Sequence, residues 1–175
     1  QTFLNVQGKD ALLDAVKQCW AILWTARAIT YRLKQEIAPE EVSLAVVVQT
    51  PIDSEVSGVA FSLNPNNNDF DEAVINSNFG LGETIVSGQV TPDNYVVDKV
   101  THEIVQKQLA NKDHVLVSKD VGGMAEQTLD DANKSSLTDA QLIAVTDLVT
   151  NVEAHYSMPM DIEWAYADGK LYLLQ

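Results

Sequence analysis

Basic residues are scarce in this 175-residue sequence: 11 Lys and Arg stand against 25 Asp and Glu, a net charge of −14. That balance argues against nucleic acid or an anionic membrane as partner, because both require a positive surface. It also sets a condition on phosphate ligands. An acidic domain that binds a polyphosphate must bring Mg²⁺, borrow Lys and Arg from elsewhere, or do both. Cysteine is nearly absent too. Cys19 alone cannot form an internal disulfide, and it lies in an apolar helical pattern where a buried thiol is the default. No apolar run approaches the ~18 residues of a membrane helix, and no basic segment followed by an apolar core suggests a signal peptide. The expectation is a soluble, cytoplasmic protein. A starting Met is missing and the chain stops on the last residue of an expected strand, so both ends read as cut from something longer. His102, His114 and His155 are scattered, without Ser or Cys partners or zinc-ligand spacing, and are assigned no chemistry.

Hydrophobic residues make up 46% of the chain, enough for a core, and the length suits one domain or two small lobes. Leu12, Leu13, Val16, Cys19, Trp20, Leu23 and Trp24 recur at helical spacing, which predicts a helix with a core-facing stripe. A second helix is expected from Arg27 to Ile37, ending before Pro39, with Arg27 and Arg32 solvated or reaching an anion. The continuous apolar run Leu44 to Val48 predicts a strand buried on both faces, with Gln49 as its first polar side chain. Further strands are expected at Gly58 to Leu63, Glu72 to Asn76, Asn94 to Asp98, Glu103 to Leu109 and His114 to Ser118. Asn66 to Asp71 reads as a polar turn, since the glycine and terminal glutamate of a calcium-binding loop are not at the required spacing. Ala132 to Ser136 reads as a linker, and Thr138 as the cap of a helix running to about Tyr156.

Two stretches carry possible chemistry. In Phe79-Gly80-Leu81-Gly82-Glu83 the glycines allow a tight turn and close approach to a ligand, and a short helix can begin at Glu83; a plain turn is the competing reading. In the final stretch, Met160 to Gln175, two strand-forming runs flank Asp168-Gly169 and predict a hairpin. Alternation puts Asp161 and Glu163 on one strand face, ~7 Å apart at their stems, where two carboxylates can share a divalent cation. A two-residue turn would place Gln175 on the other face; a three-residue turn, Ala167-Asp168-Gly169, would bring it opposite Asp161 and diagonal to Glu163. The three-residue register is the expectation, and it makes an Asp, Glu, Gln cluster suited to Mg²⁺ and phosphate. A solvated strand face is the alternative.

Four segments taken together carry a family resemblance: Thr2-Phe3-Leu4-Asn5-Val6, Ser54 to Pro65, Asn76 to Gly88 with its Gly-Leu-Gly-Glu, and Asp161-Ile162-Glu163-Trp164 ahead of Leu173-Leu174-Gln175. In this order they resemble the nucleotide-binding domain shared by phosphoenolpyruvate synthase, pyruvate, phosphate dikinase and rifampicin phosphotransferase. The resemblance implies an α+β, ATP-grasp-like fold, a mostly antiparallel sheet with packed helices. Residues 1–175 would be the C-terminal part of that domain, lacking its N-terminal lobe. It implies ATP and Mg²⁺ as cofactors, with Thr2, Gln49, Glu83, Glu163 and Gln175 at the nucleotide and Asp161 and Glu163 at the metal.

The same resemblance implies a parent that transfers phosphate from ATP through a phosphohistidine on another domain to pyruvate, giving phosphoenolpyruvate, AMP and phosphate. A rifampicin phosphotransferase-like or dikinase-like enzyme is the neighbouring reading, and a non-catalytic binding module is the reading from another class. The run Ser87 to Asp93 leans toward the synthase. Partners would then be ATP, pyruvate through domains outside this chain, the missing lobe and the phosphohistidine domain, in a parent that can be homodimeric. The family's phosphate-binding Lys and Arg have no counterpart here, so the fragment would hold half a nucleotide site and be inactive alone.

Overall fold

The computed structural model describes residues 2–86, 88, 90–112, 114–119, 122–129 and 131–175, with Thr84, Val86 and His114 described through their backbone only. Gln1, Ser87 and Gln89, near or within the family-like segments, lie outside these residues. The chain divides into two units, Gln1–Pro51 with Lys119–Met124, and Ile52–Ser118 with Ala125–Gln175.

In the first unit, helix α1 spans Lys9–Ala21, a 3₁₀ turn Ile22–Trp24, and helix α2 Ala26–Lys34. Thr25 starts α2 by accepting the Ala28 N–H on its hydroxyl at 3.3 Å, which satisfies one of the free donors of the first turn. The apolar stripe of α1 is not the core that its spacing suggests. Ala15 is its buried residue, whereas Leu13, Trp20 and Trp24 are 47%, 50% and 67% exposed. Two short helices present more apolar surface than they can cover in each other. Arg32, expected in solvent, is instead buried, with its guanidinium 5.8 Å from the centre of the Trp24 ring. Leu44 to Val48 forms no strand among the described residues, and Val47 is 83% exposed. An apolar run favours burial, but a strand also needs a neighbour to complete its backbone ladder.

The second unit is α+β, with a mostly antiparallel sheet. Its elements are β1 Val56–Phe61, β2 Glu72–Phe79, α3 Glu83–Val86, β3 Asp93–Asp98, β4 Ile104–Gln108, β5 His114–Ser118, β6 Met124–Thr128, α4 Asp139–Tyr156, β7 Asp161–Ala167 and β8 Lys170–Leu173; β6 begins in the first unit. Strands β4-β3-β2-β1-β7-β8 form one sheet, antiparallel at each pairing, and β5-β6 form a second. Strand β6 is not among the expected strands; its signal is Gly122-Gly123 set between two short β-compatible runs.

Helix α4 covers one face of the larger sheet. Thr138 and Gln141 cap it reciprocally, the Thr138 hydroxyl accepting the Gln141 N–H and the Gln141 side chain accepting the Thr138 N–H. Its Leu142, Val145 and Val149 are fully buried against Ala60, Ile75, Tyr95, Ile162 and Trp164. With that face fixed, the two-residue alternation of strands turns Val59, Asn76, Asn94, Asp161 and Glu163 to the opposite face. The Asn66–Asp71 segment closes on itself, Asn64 and Asn67 both donating to the Glu72 carboxylate at 2.6 and 3.0 Å.

Residues 132–136 are more than the linker their composition suggests. Ser136 is buried and gives both its N–H and its hydroxyl to Asp93, at 2.9 and 2.7 Å. Asp93 also accepts the Ala110 N–H and pairs with the fully buried Lys112 ammonium. Burial alone would raise the Asp93 carboxyl; Lys112 and the Ser136 and Ala110 donors outweigh it and hold it below the usual range.

Candidate functional site

The Asp161–Glu163 pair stands at the start of β7, where β1 on one side sets its register: Asp161 opposes Phe61 and Glu163 opposes Val59. Asp161 is exposed and Glu163 half-buried. On the other side, β8 returns through a turn of two residues, not three. Ala167 pairs with Lys170, and Asp168 and Gly169 have φ of 50° and 70°, the positive pair that matches the twist of a tight hairpin. Continued without interruption, this ladder would set Gln175 opposite Ile162.

A bulge changes that outcome. The Glu163 carbonyl accepts from both Leu174 N–H at 2.8 Å and Gln175 N–H at 3.3 Å, while the Glu163 N–H donates to the Gln175 carbonyl at 2.8 Å. Two residues of one strand therefore oppose one of the other, the pattern of a β-bulge. Gln175 comes opposite Glu163 through this extra residue, not opposite Asp161 as the three-residue turn would have set it.

Glu83 reaches the same region from the Gly-Leu-Gly-Glu loop. The Gly80 carbonyl accepts the hydroxyls of Ser54 at 3.0 Å and Ser57 at 2.6 Å, and its N–H donates to the Glu55 carbonyl at 2.8 Å. Leu81 N–H donates to the Leu116 carbonyl of β5 at 2.9 Å, so the loop is fixed from two sides before α3 begins. Sequence reasoning missed this role of Ser54, Ser57 and Leu116; the serines lie in the Ser54 to Pro65 segment, and Leu116 carries no sequence signal because it acts through its backbone. Gly80 has φ of 73°, and a side chain there would collide with the Leu116 carbonyl. Gly80→Ala is expected to cost about 1–3 kcal/mol, seen as a fall in Tm of roughly 2–12 °C in a thermal melt.

Glu163 registers the resulting charge. Burial pushes its carboxyl above the usual value, and the negative charges of Glu83 and Asp161 push it further. No basic side chain among the described residues forms an ion pair with Asp161 or Glu163. Nor does any group of three or more His, Cys, Asp or Glu among the described residues stand ready to hold a metal alone. Mg²⁺ is commonly held by one or two carboxylates together with water and phosphate oxygens, so these acceptor-only groups fit that cation.

Thr2 and Gln49 belong to the first unit. Thr2 is exposed just ahead of Asn5, and Gln49 is exposed in the segment that forms no strand. The structure thus brings Glu83, Asp161, Glu163 and Gln175 together within one unit, and Thr2 and Gln49 are described within the other. His102 pairs with Asp147 of α4 at 3.0 Å. No helix of the described residues is long and apolar enough to cross a membrane.

Residues 1–175 match the family described as pyruvate phosphate dikinase, AMP/ATP-binding domain. The chain is 45% identical to a protein of Pyrococcus abyssi named "Probable phosphoenolpyruvate synthase", with 100% of this chain and 23% of that protein covered. It is 44% identical to the phosphoenolpyruvate synthase of Pyrococcus furiosus, again over 100% of this chain and 23% of the relative. Identity to the rifampicin phosphotransferase of Bacillus cereus is 35%, over 99% of this chain and 20% of that protein. The chain therefore spans less than a quarter of the length of these relatives.

Proposed function

We propose, from the premise that this chain belongs to the pyruvate phosphate dikinase AMP/ATP-binding domain family, that it is the C-terminal part of an ATP-grasp nucleotide-binding domain within a longer phosphotransferase. Asp161 and Glu163 hold Mg²⁺ at the phosphates of ATP, with Gln175 and Glu83 beside them. Thr2 and Gln49 are further nucleotide contacts. The reading rests above all on the geometry of β7, which sets Asp161 and Glu163 on one face with Gln175 opposite Glu163, a set of oxygen ligands that suits a divalent cation.

When bound, Mg²⁺ supplies charge neutralisation and orientation of the phosphate oxygens. The chain's own part is to fix those ligands on a rigid sheet: β1 sets the register of Asp161 and Glu163, and the bulge sets Gln175. The Ser54 and Ser57 hydroxyls hold the loop that ends in Glu83. Protonation of Glu163 removes an anionic ligand, so cation affinity falls as pH drops through its raised range.

For the longer enzyme we favour the phosphoenolpyruvate synthase reaction: ATP, pyruvate and water give phosphoenolpyruvate, AMP and phosphate, with a histidine on another domain carrying the group from ATP, water releasing one phosphate and pyruvate taking the other. The identity to the Pyrococcus furiosus synthase supports this choice. A rifampicin phosphotransferase-like acceptor is the second reading, supported by the Bacillus cereus relative. Cytoplasmic location and a homodimeric parent accompany the first.

The 175-residue chain by itself is expected to bind MgATP with a Kd weaker than about 1 µM, more weakly still with EDTA present, and to turn nothing over. Titration calorimetry with and without Mg²⁺ measures this. Equal affinity in EDTA would overturn the metal assignment, and AMP production with pyruvate would overturn the view that the catalytic groups lie elsewhere.

A further inference from the structure

The segment that carries Thr2 is tied down at Asn5. Asn5 has a backbone φ of 50°, a left-handed conformation that Asn tolerates better than most side chains. Its amide nitrogen donates to the Lys119 carbonyl at 2.7 Å and to the Gly123 carbonyl at 2.8 Å. Its own carbonyl accepts the Gly123 N–H at 3.4 Å, and its side-chain oxygen accepts from Gln7 at 3.2 Å. Lys119 and Gly123 also bond each other, Lys119 N–H to the Gly123 carbonyl at 3.0 Å. All of these residues belong to the first unit, and Asn5 bridges more than a hundred residues of sequence.

Both hydrogens of the Asn5 amide are engaged, which makes its chemistry specific. Asp, of the same shape, would set lone pairs against two carbonyl oxygens. Ala would be strained at this φ and would withdraw the amide from both carbonyls, leaving each with its backbone donor alone, Lys119 N–H on Gly123 and Gly122 N–H on Lys119. A residue needed only to let the chain turn would not require a two-hydrogen donor; Gly would serve.

We propose that Asn5 is a positioning residue: it latches the Thr2 segment to the Lys119 and Gly123 carbonyls and so sets the position in which Thr2 is offered to the nucleotide. The functional half rests on the reading of Thr2 as a nucleotide contact. A latch acting on ground-state binding should appear in KM for MgATP more than in kcat.

The test uses the longer phosphotransferase with Asn5→Ala, Asn5→Asp and Asn5→Gly, followed by hydrogen exchange, steady-state kinetics and thermal melts. Amide exchange in residues 2–6 is expected to quicken about tenfold and KM for MgATP to rise about tenfold, as two ordinary hydrogen bonds are lost. Asn5→Gly, which adopts this φ freely, isolates the loss of the amide and should still quicken exchange and raise KM. Val145→Ala, in the α4 core, serves as the structural control, with a lowered Tm and an unchanged KM. Unchanged exchange in the Asn5 variants would overturn the latch, and a fall in Tm and kcat with KM constant would reduce Asn5 to a structural tie and overturn its positioning role. Thr2→Val separates the two layers: if it leaves KM unchanged while Asn5→Ala still quickens exchange, the role of Thr2 at the nucleotide is what fails.

Discussion

Glu163→Gln or Asp161→Asn in the longer enzyme is expected to lower turnover by about 10²-fold or more, since loss of even an outer-shell partner of a metal ligand typically costs 10–100-fold. Each change replaces an anionic oxygen by a neutral amide at a hard cation that favours charged oxygen. Stability should move the other way for Glu163. Its raised pKa means that the folded state takes up the proton more readily than the unfolded chain. The contribution of this group to stability is fully present below the ordinary carboxylate pKa and is lost as pH rises through the raised value. The Gln variant lacks that penalty at neutral pH, so it should melt at or slightly above the parent temperature when Mg²⁺ is withheld. Asp69→Asn and Asp71→Asn, in the 66–71 turn, are the controls for lowered negative charge and should leave turnover intact. Full activity in both site variants would return Asp161 and Glu163 to an ordinary strand face.

Lys112→Met is expected to destabilise the fold by about 3–5 kcal/mol, the usual consequence of leaving one member of a buried ion pair without its partner. For a chain of this size that is a fall in Tm of roughly 6–20 °C. Asp93 is the member left behind, with no exposure of its own, and its remaining Ser136 and Ala110 donors do not neutralise a full charge. Adding Asp93→Leu should recover little, because those donors would then lack an acceptor. The pH dependence runs opposite to that of Glu163. The Asp93 carboxyl is held low, so its contribution is present above the ordinary carboxylate pKa and fades as pH falls through its depressed value. Melts of the parent between neutral and acid pH should show this loss, and the Lys112→Met variant should show much less of it. A variant within a degree or two of the parent would mean that the pair contributes nothing net.

Which parts of this architecture could be read from the chain depended on how local their causes are. Helix α4 was legible in full because Thr138 and Gln141 cap it and Leu142, Val145 and Val149 repeat at helical spacing. The strands of the terminal hairpin were legible for the same reason, with Asp168-Gly169 between two β-forming runs. The turn length was not, since a bulge at Leu174 and Gln175 leaves no mark in composition and can substitute for a residue in the turn. Trp20, Trp24 and Val47 show the opposite failure: their hydrophobicity is a local fact, but burial depends on what other elements come to cover them. Ser136 was missed because a short polar stretch has the same composition whether it faces water or encloses a buried carboxylate. At the candidate site, Asp161 and Glu163 followed from alternation alone. The Ser54 and Ser57 anchors of Gly80 required the fold, since they act on a backbone carbonyl more than twenty residues away.

The short turn and the bulge also divide the hairpin into two parts that can be edited separately. Between them the pairs Ala167–Lys170 through Trp164–Leu173 form an unbroken ladder, and Leu171 in that stretch packs against the core. Lengthening the turn by one residue would rotate Leu171 out of the core along with the rest of β8, a change the whole domain would feel. Straightening the bulge would shift Leu174 and Gln175 and leave the ladder from Lys170 to Leu173 in place. The placement of Gln175 is thus set apart from the packing of the strand that carries it, so variants of the bulge could retune a ligand contact while the packed interior stays as it is.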